Sequence, residues 1–193
     1  LTQPHDCSYL DDLAARNVLL DPAVSPSDDL YSTLLANGFR RSGQHLYRPN
    51  CELCSACVPL RVDPETFELT RSQKRVRNTN ADLVVRVTPA EYTPEHFALY
   101  SHYQKMTHGG GMAEHDEGDF QDFLLTGWAL THFIEFRLPN DELIAVAVVD
   151  ETRDDLSAVY TYYSPNHPKR SLGTYAVLWQ IQHALAEKKD FVY

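Results

Sequence analysis

The stretch LTHFIEFRLPNDELIAVAVVDETRDDLSAVYTYYS, residues 130–164, decides the fold. It contains three apolar runs, which are separated by the polar segments PND and TRDD. Short turns rich in Pro, Asn and Asp between apolar runs indicate strands that pair antiparallel. We therefore predict a three-stranded antiparallel meander in the second half of the protein.

Patterns on either side of the meander complete an α+β domain. Helices are predicted in residues 93–106, 117–128 and 171–189, and further strands in residues 82–89 and 190–193. The order β-α-α-β-β-β-α-β over residues 81–193 predicts the meander with helices on both faces. Because the sequence stops on a strand, we expect the C-terminal end of this domain to be missing.

Residues 1–80 have the character of a small, separate module that contains cysteines and basic residues. Its predicted elements are, in order, a helix with Asp28 as N-cap, a hairpin in residues 39–49, a short strand in residues 58–62 and a polar helix in residues 70–82. We therefore expect two domains, residues 1–80 and residues 81–193.

The charge distribution indicates a polyanion that binds at one place. The net charge of −10 argues against a general nucleic-acid binder and against DNA as a partner. Residues 36–80 nevertheless carry eight Lys or Arg and only four acidic residues. Four cations in the polar helix recur every one to three residues, which suits successive phosphates, although a solvated helix face is the alternative. They are Arg71, Lys74, Arg75 and Arg77, called the α2 cations below because the predicted polar helix of residues 70–82 is the second helix of the chain.

The sequence contains no membrane or secretion signal. No run approaches about 18 consecutive apolar residues. The first residues, LTQPHDCSYL, lack a basic region followed by an apolar one. We therefore expect no membrane partner and a cytoplasmic location, where thiols usually stay reduced.

The four cysteines point to metal binding, catalysis or simple burial. Cys51, Cys54 and Cys57 form a C-x-x-C-x-x-C array, a spacing that lets thiolates face one ion across a tight turn. The candidates for a fourth ligand are Cys7, His5 and His45. A structural metal and reduced thiols without metal both stay open, whereas a catalytic thiol is disfavoured because no histidine lies in a recognisable nucleophile motif.

The meander carries polar residues that can belong to a site. Glu135 and Arg137 share a face of an otherwise apolar strand, so they form either a structural ion pair or part of a site. Ser157, Tyr160 and Tyr162 are assigned to one face of the third strand, where tyrosines can fill the core or line a slot for an apolar side chain or an adenine.

A second candidate lies where the last helix begins. Lys169 and Arg170 precede Ser171 and Gly173, and free N–H groups at a helix start suit a phosphate or an oxyanion. An ordinary helix start with a glycine is the alternative.

Long segments of the sequence resemble the aminoacyl-tRNA–protein transferases, and most closely their bacterial branch, the aspartate/glutamate leucyltransferases. The resemblance covers nearly the whole chain in order. Its most specific segments are LLANGFRRSGQHLYRPNCELCSACVPLRV (34–62), FALYSHYQKMTHGGGM (97–112) and RSLGTYAVLWQI (170–181).

The resemblance implies a catalytic domain with the fold of GCN5-related acyltransferases. In ordinary members of that fold, the turn before the last predicted helix holds the pyrophosphate of coenzyme A. Here RSLGTY occupies this turn and is expected to face the acceptor end of an aminoacyl-tRNA. The residues of this segment that are expected to bind substrate are Arg170, Ser171, Gly173, Thr174 and Tyr175.

The implied reaction moves leucine from Leu-tRNA to the α-amine of proteins that begin with Asp or Glu, which marks them for degradation by the N-end rule pathway. It needs no cofactor. Glu135 is expected to position or deprotonate the amine, and Tyr160 and Tyr162 to line the donor pocket. Arg137 or Arg170 would read the acceptor carboxylate, and the α2 cations would bind tRNA phosphates.

The resemblance also bears on the cysteines. Eukaryotic relatives carry a Cys-x-x-Cys near the N-terminus that binds zinc or an iron–sulfur cluster, but this chain has CSYL there, with Leu10 in place of the second Cys. We expect a structural knuckle formed by Cys7, Cys51, Cys54 and Cys57. Two states of this knuckle stay open: one that holds zinc or an iron–sulfur cluster, and one that has lost the metal.

Three rival functions stay open. An arginyltransferase would use the same chemistry with Arg-tRNA. An acyl-CoA-dependent N-acetyltransferase would need a pyrophosphate loop of the R/Q-x-x-G-x-G/A type, of which RSLGTY has only Arg170 and Gly173. A non-catalytic RNA-binding protein with a zinc knuckle would bind tRNA whether or not it is aminoacylated.

Overall fold

The computed structural model describes residues 1–107 and 111–193, and its N-terminal part is built from short elements. They are β1 (His5–Asp6), β2 (Ala14–Ala15), β3 (Asn17–Leu19), α1 (Asp28–Ala36), β4 (Arg40–Ser42), β5 (His45–Pro49) and α2 (Arg71–Thr79). β1 pairs with β2, and β3, β5 and β4 form a three-stranded antiparallel sheet. The turn between β4 and β5 contains Gly43 with a φ of +55°, a conformation that favours glycine.

The remaining elements form a five-stranded sheet with its helices. They are β6 (Val84–Pro89), α3 (Pro94–Thr107), α4 (Glu117–Leu124), β7 (Leu130–Arg137), β8 (Leu143–Glu151), β9 (Asp155–Tyr163), α5 (Leu172–Ala186) and β10 (Phe191–Val192). The strand order is β6-β7-β8-β9-β10, antiparallel from β6 to β9, with β10 parallel to β9.

Two apolar cores lie on opposite faces of this sheet. On one face α5 packs over a cluster that includes Ile134, Phe136 and Ala147. On the other face α3 and α4 pack over a cluster that includes Phe133 and Val148. Because β8 contributes to both clusters, its residues from Leu143 to Asp150 are all buried, as expected for a central strand covered on both sides.

The N-terminal part has a smaller apolar cluster of its own and is tied to the sheet by a buried ion pair. Tyr31, Leu35 and Leu46 form this cluster. The Arg41 side chain of β4 and the Asp150 side chain of β8 meet at 2.6 Å, and neither is exposed.

The predicted α+β element order and the meander are confirmed, and two local predictions are wrong. The N-cap of α1 is Ser27, whose hydroxyl accepts a hydrogen bond from the Leu30 amide, and Asp28 is already helical. The strand predicted in residues 58–62 is a single bridge between Val62 and Val192, because its partner is a two-residue strand. The two-domain division and the missing C-terminal end stay predictions.

None of the helices in the described ranges has the length and apolar character that crossing a lipid bilayer requires.

Candidate active site

A cleft of about 550 Å³ opens between the N-terminal hairpin and β9. β4 contributes Arg40, Arg41 and Ser42 to one wall, and residues 157–160 of β9 form the opposite wall. The aromatic residues that line the cleft are Tyr9, Phe39, Tyr47, Phe123, Tyr160 and Tyr193. A largely apolar cleft of this size, with a few polar groups, is typical of a ligand site.

A β-bulge shapes the β9 wall. The pairing of β8 with β9 slips by one residue at Val159. As a result Ser157, Tyr160 and Tyr162 share one face of the sheet, as predicted, although Ser157 would lie on the opposite face of a regular strand. Bulges of this kind re-aim side chains beside active sites.

Arg40 and Arg41 are the only charged side chains among the described residues that line the cleft. Arg41 donates hydrogen bonds to both carboxylate oxygens of Asp150 and to the carbonyl oxygens of Gly43 and Leu124. Arg40 is exposed, and its guanidinium carbon lies 5.8 Å from the centroid of the Tyr47 ring. Within residues 1–107 and 111–193 no carboxylate lies within ion-pair distance of Arg40.

Glu135 and Arg137 form a closed network beneath α3. One Glu135 oxygen lies 2.8 Å from His96 Nε2, and the other accepts a hydrogen bond from Arg137 Nε at 2.7 Å. Arg137 also donates to both oxygens of Glu95 and to the Asp141 carbonyl. Glu135, His96 and Arg137 are all buried, and none of the three lines the cleft.

The network fixes the charge of its members. Burial alone would raise the pKa of Glu135, but the hydrogen bonds from Arg137 and His96 and their charges hold it below its ordinary value. Hydrogen bonds to Glu95 and Glu135 raise the pKa of Arg137. Glu135 is therefore ionised and already accepts hydrogen bonds on both oxygens, which suits positioning better than proton transfer.

The two predicted tyrosines have different surroundings. Tyr160 lines the cleft and accepts a hydrogen bond from Gln104 Nε2 at 3.0 Å. Tyr162 lies in the core beneath α3, and its buried hydroxyl has no hydrogen-bond partner among the described residues. Burial, followed by the charge of Glu135, raises the pKa of Tyr162 well above its ordinary value.

The start of α5 lies beyond the end of β9. Arg170 pairs with both oxygens of Asp82 at 2.8 and 2.9 Å. Ser171 adopts a left-handed conformation and makes no side-chain cap hydrogen bond. A Cβ on Gly173 would meet the Tyr163 ring at 3.2 Å, so the close approach that this glycine permits is that of a neighbouring ring. Thr174 is exposed, and Tyr175 is buried against Phe136.

Comparisons with known proteins assign the chain to a family. A family model described as "Arginine-tRNA-protein transferase, C terminus" matches residues 95–193, and one described as "Arginine-tRNA-protein transferase, N terminus" matches residues 5–75. The chain belongs to the arginine-tRNA–protein transferase family.

Relatives of this transferase carry a more specific name. The chain is 48% identical over 193 residues to the aspartate/glutamate leucyltransferase of Saccharophagus degradans, and this match covers the whole chain and 82% of the relative. It is 46% identical to the protein of the same name from Teredinibacter turnerae, of which it covers 79%.

A solved structure shares part of the transferase fold. The structure of L-PGS from Bacillus licheniformis matches 68% of this chain and 42% of its own, with a TM-score of 0.53 and 12% sequence identity. At this identity the similarity concerns the fold alone.

The α2 cations of the transferase lie on an exposed helix. Thr70 and Gln73 form a capping box at its start, which satisfies helix amides that would otherwise lack partners. All four α2 cations are exposed, and none has an ion-pair partner in the described part of the chain. They are therefore available to an external polyanion.

The four cysteines of the transferase line a single cavity of about 370 Å³. All four are free thiols. In the described ranges no group of three or more His, Cys, Asp or Glu side chains is arranged to hold a metal ion. The thiols are therefore gathered around one space but do not form a closed ligand set in this arrangement.

Sequence reasoning missed Arg40, Arg41 and His96. The two arginines belong to the segment GFRRSG, which was interpreted as part of a hairpin, of the basic region and of the family resemblance, but not as part of a site. The separation of 39 residues between His96 and Glu135 leaves no local pattern that could have identified their contact. Two consecutive arginines in a hairpin strand are a weak signal that could have singled them out.

Proposed function

We propose that the protein transfers leucine from Leu-tRNA to the N-terminal Asp or Glu of acceptor proteins. The observation that carries this proposal is the similarity, over the whole chain, to proteins named aspartate/glutamate leucyltransferase. The chain covers 82% and 79% of two of these relatives, and both matches extend over the whole chain. They therefore include the hairpin and the β9 walls of the cleft.

The proposed reaction forms an amide from an ester. The neutral α-amine of the acceptor attacks the carbonyl carbon of the leucyl ester, the C–N bond forms, and the C–O bond to the tRNA ribose breaks. The amine loses a proton, and the ribose oxygen leaves as a hydroxyl. Because an ester is converted to an amide, the step proceeds without ATP or a cofactor, and the enzyme acts chiefly by bringing the two groups together.

The cleft is the proposed place of this reaction. Tyr160 lines it and is proposed to contact the leucyl group. Glu135 and Tyr162 lie behind the cleft wall, and their proposed catalytic contribution is to hold the sheet face that carries Tyr160. Both carboxylate oxygens of Glu135 already have internal partners, His96 and Arg137, and this supports a positioning role.

The tRNA is proposed to bind at two places. The α2 cations would contact backbone phosphates, because they are exposed and have no ion-pair partner among the described residues. The segment from Arg170 to Tyr175 would face the acceptor end, which is supported by the free amide groups expected in the first turn of α5. Hydrogen bonds from Asn80 to the Arg170 carbonyl and from Arg170 to Asp82 join the two places.

Two broader proposals accompany this function. The element order β-α-α-β-β-β-α-β, the bulge in β9 and a parallel β10 support a GCN5-related acyltransferase fold for residues 81–193. The transfer of leucine to acidic N-termini would mark proteins for degradation by the N-end rule pathway in the cytoplasm. A structural zinc or iron–sulfur cluster at the four cysteines also stays a proposal, and no step of the reaction uses it.

The main rival is an arginyltransferase, because both matching family models carry that description. Radiolabelled Leu-tRNA and Arg-tRNA are offered separately to an acceptor protein that begins with Glu and to the same protein beginning with Ala. Leucine incorporated only into the Glu acceptor is the expected result. Arginine incorporation instead would change the donor, and no transfer from either tRNA, while a known transferase uses both, would favour the acetyltransferase alternative and a test of acetyl-CoA binding.

A further inference from the structure

We propose that Arg40 is the residue that recognises the acidic side chain of the acceptor N-terminus. This inference rests on the proposed function and deepens it, because it assigns acceptor specificity to one wall of the cleft. The sequence had suggested Arg137 or Arg170 for this role.

The two earlier candidates already hold carboxylates. Arg137 is buried, and its hydrogen bonds go to Glu95, Glu135 and the Asp141 carbonyl. Arg170 is held in a bidentate pair with Asp82. A substrate carboxylate would have to displace an internal one in each case, and the hydrogen bonds lost would offset those gained.

Arg40 has the free charge that the cleft otherwise lacks. Of the two charged side chains that line the cleft in the described ranges, Arg41 is fully engaged with Asp150 and two carbonyls. Arg40 has no carboxylate partner there, and no acidic side chain lines the cleft. An anionic group that enters the cleft therefore meets one uncompensated guanidinium, which can bind a carboxylate through two parallel hydrogen bonds.

The position of Arg40 suits a side chain that arrives beside the reacting amine. Arg40 lies on the hairpin wall, and Tyr160 lies on the β9 wall of the same cleft. The Tyr47 ring supports the guanidinium at 5.8 Å, within the range of cation–π contacts. An acceptor residue between the two walls would place its carboxylate toward β4 while its amine faces β9.

A carboxylate fits this cleft better than a tRNA phosphate. In the described ranges, six aromatic side chains line the cleft together with one cation that has no carboxylate partner, whereas binding of a nucleic-acid backbone relies on several cations that track successive phosphates. Such a row of cations is present elsewhere, on α2. Arg40 is therefore assigned to the carboxylate of the acceptor protein, and the α2 cations are assigned to the phosphates of the donor tRNA.

The test compares the variant Arg40→Ala with the wild-type protein and with Arg48→Ala as a matched control. Arg48 lies on the neighbouring strand β5, also close to an aromatic ring, but does not line the cleft. Leucine transfer is measured with acceptor peptides that begin with Glu or with Gln, at saturating Leu-tRNA. Thermal unfolding of each variant confirms that it is folded.

The wild-type protein and Arg48→Ala should prefer the Glu acceptor, and Arg40→Ala should lose about 10- to 100-fold in kcat/KM for Glu while its activity toward Gln changes little. The KM for Leu-tRNA and its salt dependence should stay unchanged. Arg40→Lys keeps the charge without the two-pronged geometry and should recover part of the preference.

The outcomes separate this inference from the proposed function. If the wild-type protein transfers leucine and Arg40→Ala retains the full preference for Glu over Gln, the assignment of Arg40 is wrong while the function stands. If Arg40→Ala instead raises the KM for Leu-tRNA and makes it less sensitive to salt, Arg40 binds a phosphate and the inference is also wrong. If the wild-type protein transfers leucine to neither peptide, the proposed function itself fails.

Discussion

Removal of the Arg41 guanidinium should destabilise the protein more than removal of any exposed arginine. Asp150 accepts four hydrogen bonds: two from Arg41 at 2.6 and 3.0 Å, and one each from the hydroxyls of Tyr31 and Thr131 at 2.7 Å. In Arg41→Met the carboxylate keeps only the two hydroxyl donors. Because neither member of the ion pair is exposed, water does not replace the missing donors.

The magnitude follows from the burial of the pair. Breaking a buried ion pair from one side costs about 3–5 kcal/mol of the free energy of unfolding. The carbonyls of Gly43 and Leu124 also lose the donor that Arg41 provides, so we expect a loss of at least the middle of that range, about 4 kcal/mol. With a urea dependence of about 2 kcal/mol per M, the unfolding midpoint should fall by about 2 M.

Urea unfolding monitored by tryptophan fluorescence measures this loss. Trp128 packs edge-on against Tyr31 at 5.0 Å and Trp179 stacks on His183, so the two reporters lie in different parts of the molecule. The matched control is Arg153→Met, which removes an exposed pair with Asp154 and should leave the midpoint nearly unchanged. The double variant Arg41→Met, Asp150→Asn should recover part of the loss, because no uncompensated charge stays buried.

A small effect would contradict this reasoning. If Arg41→Met lowered the midpoint no more than Arg153→Met does, the ion pair would not connect the N-terminal part to the sheet in solution. A double variant that is less stable than Arg41→Met would show that the penalty does not come from the unpaired carboxylate.

Three further predictions concern the charges and the thiols. Replacement of the α2 cations by Gln should weaken tRNA binding and reduce the slope of log affinity against log salt by up to about 3 to 4. An unchanged slope in a filter-binding titration would remove them from the tRNA site. The pKa of Glu135 is lowered in the folded state, so its ionised form increases the free energy of unfolding at pH values above its ordinary pKa of 4.5. This contribution is lost as the pH falls through the lowered folded-state pKa. The variant Glu135→Gln should therefore show a shallower loss of stability on acidification below that pH, measured by thermal unfolding, and an acid limb as steep as that of the wild type would contradict this. If the four thiols hold a structural zinc, protein purified without chelators should contain about one zinc per chain by elemental analysis, and the variant Cys54→Ser should contain less. If protein from which zinc and iron have been removed unfolds at the same temperature as the untreated wild-type protein, a structural metal is excluded.

Local chemistry made much of the fold predictable from the sequence. The turns PND and TRDD separate three strands that the structure places at Leu130–Arg137, Leu143–Glu151 and Asp155–Tyr163. Pro94 begins α3 as its fixed φ predicts. These features depend on residues within one turn or one strand, so a sequence pattern is sufficient to identify them.

Features that depend on distant partners could not be predicted in the same way. The slip at Val159 follows from how β9 pairs with β8, and no turn residue marks it. Arg41 and Asp150 are 109 residues apart, so neither indicates the other in the sequence. The candidate site shows the same division: Tyr160 was identified from its strand, whereas the wall opposite it, with Arg40, depends on the packing of the hairpin against that strand.

The long sequence separation of Arg41 and Asp150 has a consequence for folding during synthesis on the ribosome. At about 5–20 residues per second, roughly 5 to 20 seconds pass between the synthesis of Arg41 and that of its partner 109 residues later. During this interval the hairpin carries its guanidinium in water, and the apolar side chains of Tyr31 and Leu35 have no finished sheet to cover them. The nascent N-terminal part therefore keeps apolar surface in contact with water until β8 has been synthesised.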